Sequence, residues 1–278
     1  MGDGLPVRIM AAINVSPESF YAGSVSRDAV SLRAAAQRAA SEGADIIDIG
    51  GMSTAPYLRT EIPEPEEIRR VTWALETVGA AVSLPLSADT KRATVAAAAL
   101  AAGARIINDV SGLRADEQMA AIAARAEGVV LTASEDRAAE PHAPYPASPT
   151  EPVSLVRRVL VRSLERARAA GIAAERIVLD PGIGFFTRAG QPPDVFSCGV
   201  LDQLRTLLDL GSPLLIGVSR KSFIATITGK TDPAERLWGS LAATAVAVYN
   251  GAAIVRTHDV AATRDAVRIA AAIRSHRA

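Results

Sequence analysis

Short apolar runs recur along the chain, and each is followed, after a polar turn, by a longer segment with apolar residues at helical spacing. Arg8–Asn14 leads into Asp28–Ser41, Asp45–Gly50 into Pro65–Val78, Leu84–Thr90 into Arg92–Ala102, and Arg105–Val110 into Asp116–Ala126. Gly128–Thr132 is followed, after a loop, by Val153–Ala169, and Arg176–Asp180 by Asp194–Asp209. Leu214–Val218 precedes Pro233–Tyr249, and Ala253–His258 precedes Ala261–Ser275. The short runs do not alternate apolar with polar. They read as strands buried on both faces, which belong to parallel sheets.

Eight strand–helix units fill the chain with no shift of composition to mark a domain boundary, so one domain over 1–278 is expected. Eight units at a period of about 35 residues predict a closed (β/α)8 barrel, a TIM barrel, rather than an open doubly wound sheet. Gly43, Gly103, Gly171 and Gly251 stand just past predicted helix ends, where a left-handed cap favours glycine. Ala133–Pro152 breaks the rhythm with five prolines and no apolar period, and is expected to be a mobile surface loop.

In such a barrel the carboxyl ends of the strands share one face, and binding sites form there. The residues at those ends are Asn14; Ser53 and Thr54; Asp89 and Thr90; Asn108 and Asp109; Thr132; Asp180; Arg220, Lys221 and Ser222; and Arg256, Thr257 and His258. Singly, Asp89 or Asp180 could cap a helix and Asn108 could hold a turn. Together they fall into two chemical groups. Asp89, Asn108, Asp180 and Lys221 suit a flat, nitrogen-rich heterocycle, because a carboxylate accepts two parallel N–H bonds from a guanidine-like edge. Asn14, Arg256 and His258, from the first and last strands, suit a phosphate or diphosphate, with the Asn14 amide oxygen a candidate metal ligand.

Composition narrows the function by exclusion. A formal net charge of zero over 278 residues gives no basis for nucleic-acid or membrane-surface binding. No apolar run approaches the roughly 20 residues of a membrane span. The start MGDGLPVRIM lacks a signal-peptide layout, and Cys198 is the single cysteine, so a reducing cytoplasm is expected. Three histidines and one cysteine make a zinc site built from these residues alone improbable.

The chain resembles the dihydropteroate synthase family from end to end. The resemblance is carried by Asn14–Phe20 (NVSPESF), Asp45–Pro56 (DIIDIGGMSTAP), Ser87–Thr90 (SADT), Ile106–Gly112 (IINDVSG), Leu179–Phe185 (LDPGIGF), Gly217–Phe223 (GVSRKSF) and Ile254–Val260 (IVRTHDV). In detail it is similar to the archaeal-type branch. The resemblance implies that 6-hydroxymethyl-7,8-dihydropterin diphosphate condenses with p-aminobenzoate and pyrophosphate leaves. It implies pterin contacts from Asp89, Asn108, Asp180 and Lys221, with Lys221, Asp89, Asp180 and Arg256 as the catalytic set. It also implies an arylamine pocket of Thr54, Pro56, Phe185 and Ser222, and a diphosphate site of Asn14, Arg256 and His258 with Mg²⁺ on Asn14. A homodimer is implied as well, for which Leu237–Tyr249 is a candidate contact surface, although burial explains most of that segment equally well.

Several positions depart from the family pattern. Ala22 stands for a loop aspartate and Ala55 for an arginine. Leu131 and Thr132 replace a Met-His pair, and Phe186 and Thr187 a Gly-Lys pair. Ala22 and Ala55 would leave room for a bulkier amine, such as a ribofuranosyl-aminobenzene phosphate, whose phosphate Arg59 or Arg188 could meet. A pterin-binding protein without turnover and a pterin-dependent methyltransferase are the other classes. Neither needs the diphosphate group of Asn14, Arg256 and His258.

Overall fold

The computed structural model describes residues 5–16, 28–52, 61–134, 151–186 and 193–276. Eight parallel strands form one sheet: β1 Arg8–Asn14, β2 Ile46–Gly50, β3 Leu86–Asp89, β4 Ile106–Asp109, β5 Gly128–Thr132, β6 Ile177–Asp180, β7 Leu215–Ile216 and β8 Ile254–Thr257. Their order is β6-β5-β4-β3-β2-β1-β8-β7. The two ends of that order meet at a parallel bridge between Leu179 and Leu214, with Leu179 N donating to Pro213 O at 2.9 Å. The expected (β/α)8 barrel is therefore present, nearly closed. β7 is shorter than its apolar run because the chain leaves the sheet at Gly217.

The helices are α1 Ala29–Glu42, α2 Glu64–Gly79, α3 Ala93–Ala101, α4 Met119–Ala123, α5 Glu151–Ala169, α6 Pro193–Asp202, α7 Ser222–Thr228, α8 Leu237–Tyr249 and α9 Val260–Ser275. α1 shows why the sequence places them well. Asp28 accepts from Val30 N and Ser31 N at 2.9 Å, and Gly43 ends the helix at φ +98°. Two differences from expectation stand out. α4 is a short remnant of the predicted 116–126 segment, and α7 is an additional helix before α8. The predicted loop 133–152 gives way to α5 at Glu151, and its residues 135–150 lie outside the described residues.

Period-2 alternation divides each strand between two cores. Outward residues such as Ile47, Ile49, Ile107, Leu131, Leu179 and Ile216 pack under the helices with a largely alanine and leucine lining. Inward residues Met10, Val130 and Leu215, with Ile46, Ile106, Val178 and Ile254 against them, fill the lower half of the barrel. One step further along the strands the inward positions turn polar. That change of chemistry sets the floor of a bowl.

Candidate active site

The alternation decides which strand-end residues reach the bowl. Two residues on from the apolar floor, Asp48, Asn108, Thr132, Asp180 and Arg256 occupy the same inward face as Ile46, Ile106, Val130, Val178 and Ile254. Asp89 of β3 joins them, and the residues one position further along turn outward into local structure. Asp109 accepts from Ser111 N and Leu113 N at 2.7 Å each, holding the turn after β4. Thr90 donates to buried Glu67 at 2.7 Å, and Thr257 pairs with Thr263 at 2.8 Å. The turn-holding role weighed for Asn108 belongs to Asp109.

Arg256 links the bowl. Its Nε donates to Asp48 Oδ2 at 2.7 Å and its NH2 to Asp89 Oδ2 at 3.0 Å. Asn108 Nδ2 also donates to Asp48 Oδ2, at 3.1 Å. Asp48, which the strand-end argument passes over, is fully buried at the centre of this network. Asp180 Oδ1 accepts from Gly182 N at 2.8 Å, so the carboxylate caps its own turn while facing the bowl. Gly182, at φ +72°, is required there. A Cβ would fall 1.8 Å from Ala133 O on the neighbouring loop.

Lys221 comes from the loop after β7 and bends back into the bowl. Its Nζ donates to Ile183 O and lies 5.0 Å from the centre of the Phe185 ring. Gly217 lies where the two cations converge: a Cβ there would meet Arg256 Cβ at 3.8 Å and Lys221 Nζ at 3.9 Å, ordinary contact distances. Ser222 opens α7 beside Lys221. Arg220, grouped with Lys221 by sequence, points elsewhere. Its left-handed backbone (φ +57°) turns the side chain out of the bowl, into a bidentate pair with Asp259 at 2.9 and 2.7 Å. Arg220 is thus a structural cation. Its positive φ, rare outside glycine, left no mark in the sequence.

His258 Nδ1 is 3.0 Å from Ser219 Oγ at the rim beside Arg256. At the end of β1, Asn14 Oδ1 packs over Gly50, where a Cβ would approach it to 3.3 Å. Thr54 and Pro56, with Ala22, Ala55, Arg59, Thr187 and Arg188, lie outside the described residues. Of the arylamine group, Phe185 and Ser222 are placed, flanking Lys221.

Burial shifts the ionisations. It pushes Asp89 up to about 7, with Arg256 opposing and Asp48 adding to the rise. It raises Asp180 too, against the pull of Lys221. It brings Lys221 down to about 8, against Asp180. Burial and then Arg256 bring His258 down to about 3, so the imidazole is neutral. Burial also opposes the Arg256 charge, but Asp48 and Asp89 outweigh it and raise Arg256 further. Among the described residues, Asp48 Oδ1, Asp89 Oδ1, Asn108 Oδ1, Ser87 Oγ and Thr132 Oγ1 are buried without a hydrogen-bond partner. Such groups are costly to hold in a free protein and mark a site completed by a polar ligand.

A family described as pterin binding enzyme matches residues 10–258. The dihydropteroate synthase of Neisseria meningitidis serogroup B is 40% identical over 268 residues, covering 94% of this chain and 91% of that protein. The chain belongs to the dihydropteroate synthase family. Among solved members, the Coxiella burnetii enzyme in complex with pteroic acid superposes at a TM-score of 0.88 with 33% identity, over 98% of this chain and 94% of that one. The Xanthomonas albilineans enzyme with 4-aminobenzoic acid gives 0.85 with 37% identity, over 100% and 96%. Dihydropteroate synthases are transferases, and the match spans nearly the whole barrel. These relatives are bacterial, so the archaeal-type detail read from the loop motifs is not carried by them.

Proposed function

We propose that this protein joins 6-hydroxymethyl-7,8-dihydropterin diphosphate to p-aminobenzoate and releases pyrophosphate. The observation that carries this is the buried set Asp89, Asn108 and Asp180 beside Lys221, in which Asp89 Oδ1 and Asn108 Oδ1 have no hydrogen-bond partner among the described residues. It offers carboxylate and amide oxygens to the N–H groups of a pterin edge and an ammonium to its carbonyl. The relatives named above, solved with pteroic acid and 4-aminobenzoic acid, support the same two substrates.

In the reaction the bond from the pterin methylene to the diphosphate oxygen breaks, and its electron pair leaves with the diphosphate. The arylamine nitrogen supplies the pair for the new C–N bond and loses a proton. Asp89 and Asp180 stabilise positive charge that develops on the pterin. Arg256 meets the departing diphosphate, and neutral His258 offers it a hydrogen bond rather than a charge. Phe185 and Ser222, beside Lys221, place the amine against the methylene.

Among the described residues no group of three or more His, Cys, Asp or Glu side chains could hold a metal ion. Mg²⁺ keeps several waters and takes few protein oxygens beside phosphate, so a single amide oxygen next to a diphosphate suits it. Asn14, at the end of β1, is the residue that would hold it. When bound, Mg²⁺ supplies charge neutralisation to the leaving group.

The protein is further proposed to work in the cytoplasm as a homodimer. Ser240, Thr244, Ala247 and Val248 of α8 are buried within the subunit. Trp238 and Val246, 77% and 48% exposed, remain for a contact. No helix among the described residues is long and apolar enough to cross a membrane.

The deciding experiment is pyrophosphate release with Mg²⁺, comparing p-aminobenzoate with a ribofuranosyl-aminobenzene phosphate. Turnover with p-aminobenzoate is expected. Turnover with the larger amine alone would transfer the protein to the archaeal-type branch, and tight pterin diphosphate binding without release would make it a binding protein.

A further inference from the structure

Asp48 lies mid-strand, two residues before the end of β2, and is completely buried. Its strand neighbours on the inward face are both small. In register it faces Ala12 of β1 on one side and Ser87 of β3 on the other. Over Ala12 comes Arg256 from β8, whose own β1 partner is Met10. Over Ser87 comes Asn108 from β4. Both side chains end on one atom, Asp48 Oδ2, at 2.7 and 3.1 Å. Two strand gaps are crossed because Ala12 and Ser87 leave them open. A charge-assisted bond to Nε fixes rotation of a guanidinium about its stem, which the terminal nitrogens alone do not. With Nε held, NH2 falls on Asp89 at 3.0 Å.

We propose that Asp48 is a positioning residue for the reaction, fixing the Arg256 guanidinium and the Asn108 amide in the orientations that receive the pterin diphosphate. This rests on the roles given above to Arg256 and Asn108. Asp48 itself lies beneath both and acts through them. Its Oδ1, buried without a hydrogen-bond partner among the described residues, is oriented by the same two bonds.

The test compares Asp48→Asn, Arg256→Ala and the double variant in steady-state kinetics. Asp48→Asn keeps the shape but replaces the anion that orders the guanidinium. It should raise KM for pterin diphosphate about 10-fold or more, the scale of one charge-assisted hydrogen bond. KM for p-aminobenzoate should stay within about twofold, since that amine does not meet Arg256 or Asn108. In the Arg256→Ala background, the added loss should shrink to about threefold or less. Fully additive losses, or equal rises in both KM values, would overturn the role of Asp48. An Arg256→Ala enzyme with unchanged KM for pterin diphosphate would instead overturn the assignment of Arg256, and the proposal with it. Should Asp48→Asn fail to fold, the wild-type protein still decides. The Arg256 Nε–H NMR signal, identified by its loss in Arg256→Lys, should be protected from exchange before any ligand is added. A freely exchanging Nε–H would sink the proposal.

Discussion

Loops at the ends of β7 and β8 feed two buried charge clusters, one inside the barrel and one outside, built to opposite rules. Outside, the Arg220 guanidinium donates twice to Asp259 and once each to Pro233 O and Ala234 O. Arg236 in turn donates to Lys230 O, Thr231 O and Arg220 O, and Ser240 ties Arg220 N to Arg236 O. Inside, Lys221 and Arg256 share a bowl with three carboxylates, two of whose oxygens, Asp48 Oδ1 and Asp89 Oδ1, lack partners among the described residues. Both clusters have removed charge from water. Only the outer one is complete, and completeness is the sign of a structural role. The inner one tolerates buried, unpaired oxygens and displaced ionisations, which is how a site awaiting ligand differs from a bracket.

Adjacent cations offer the sharpest break of this comparison. Lys221→Ala should lower kcat/KM by about 10²- to 10³-fold, the scale of a lost electrostatic contact in the transition state, without lowering the melting temperature. Arg220→Ala should do the reverse in emphasis, costing about 3–5 kcal/mol of stability because Asp259 is left without its partner. Urea titrations beside kinetics would check both. A destabilised Lys221→Ala with normal turnover would erase the distinction.

A second test uses pH. Asp89 must be ionised to accept from the pterin and Lys221 protonated to donate. Free-enzyme kcat/KM should therefore rise through about 7 and fall through about 8, a narrow bell. Asp89→Asn should abolish the acidic limb alone. The sign for stability is also fixed. The folded state holds the Asp89 proton more tightly than the unfolded chain does. This contribution is therefore full below 3.8 and lost as pH rises to about 7. The smallest effect is expected at Thr132, whose buried hydroxyl lacks a partner. Thr132→Val should leave stability equal or higher by about 1 kcal/mol and change KM for pterin diphosphate only a few-fold. A large loss of stability would show that the hydroxyl is satisfied within the protein.

The sequence exposes the barrel because parallel strands are apolar on both faces, so each appears as a run distinct from the amphipathic helix after it. It exposes Asp89, Asn108, Asp180 and Lys221 because strand ends are where such runs turn polar. The same rule hides Asp48, which sits inside its run between isoleucines; only counting by twos back from Gly50 places it inward. Arg220 shows the opposite failure. It is next to Lys221 in sequence, but its side chain is parted from that of Lys221 by its own left-handed backbone, which composition does not announce. α7 escapes notice because seven residues make too few turns for a periodic pattern. The loop departures at Ala22, Ala55 and Thr187 lie outside the described residues, so their bearing on the amine rests on kinetics.

The bridge between Leu179 and Leu214 has a mechanical consequence. β7 is two residues long, and the barrel is joined there by less backbone bonding than anywhere else around its circumference. Asp180 stands on one lip of this seam and Lys221 just beyond the other. A heterocycle gripped by both would span the gap as a strut, so part of its binding energy would appear as closure of the barrel itself. In that sense the substrate would act as a structural member of the fold, a brace across the thinnest joint of the ring.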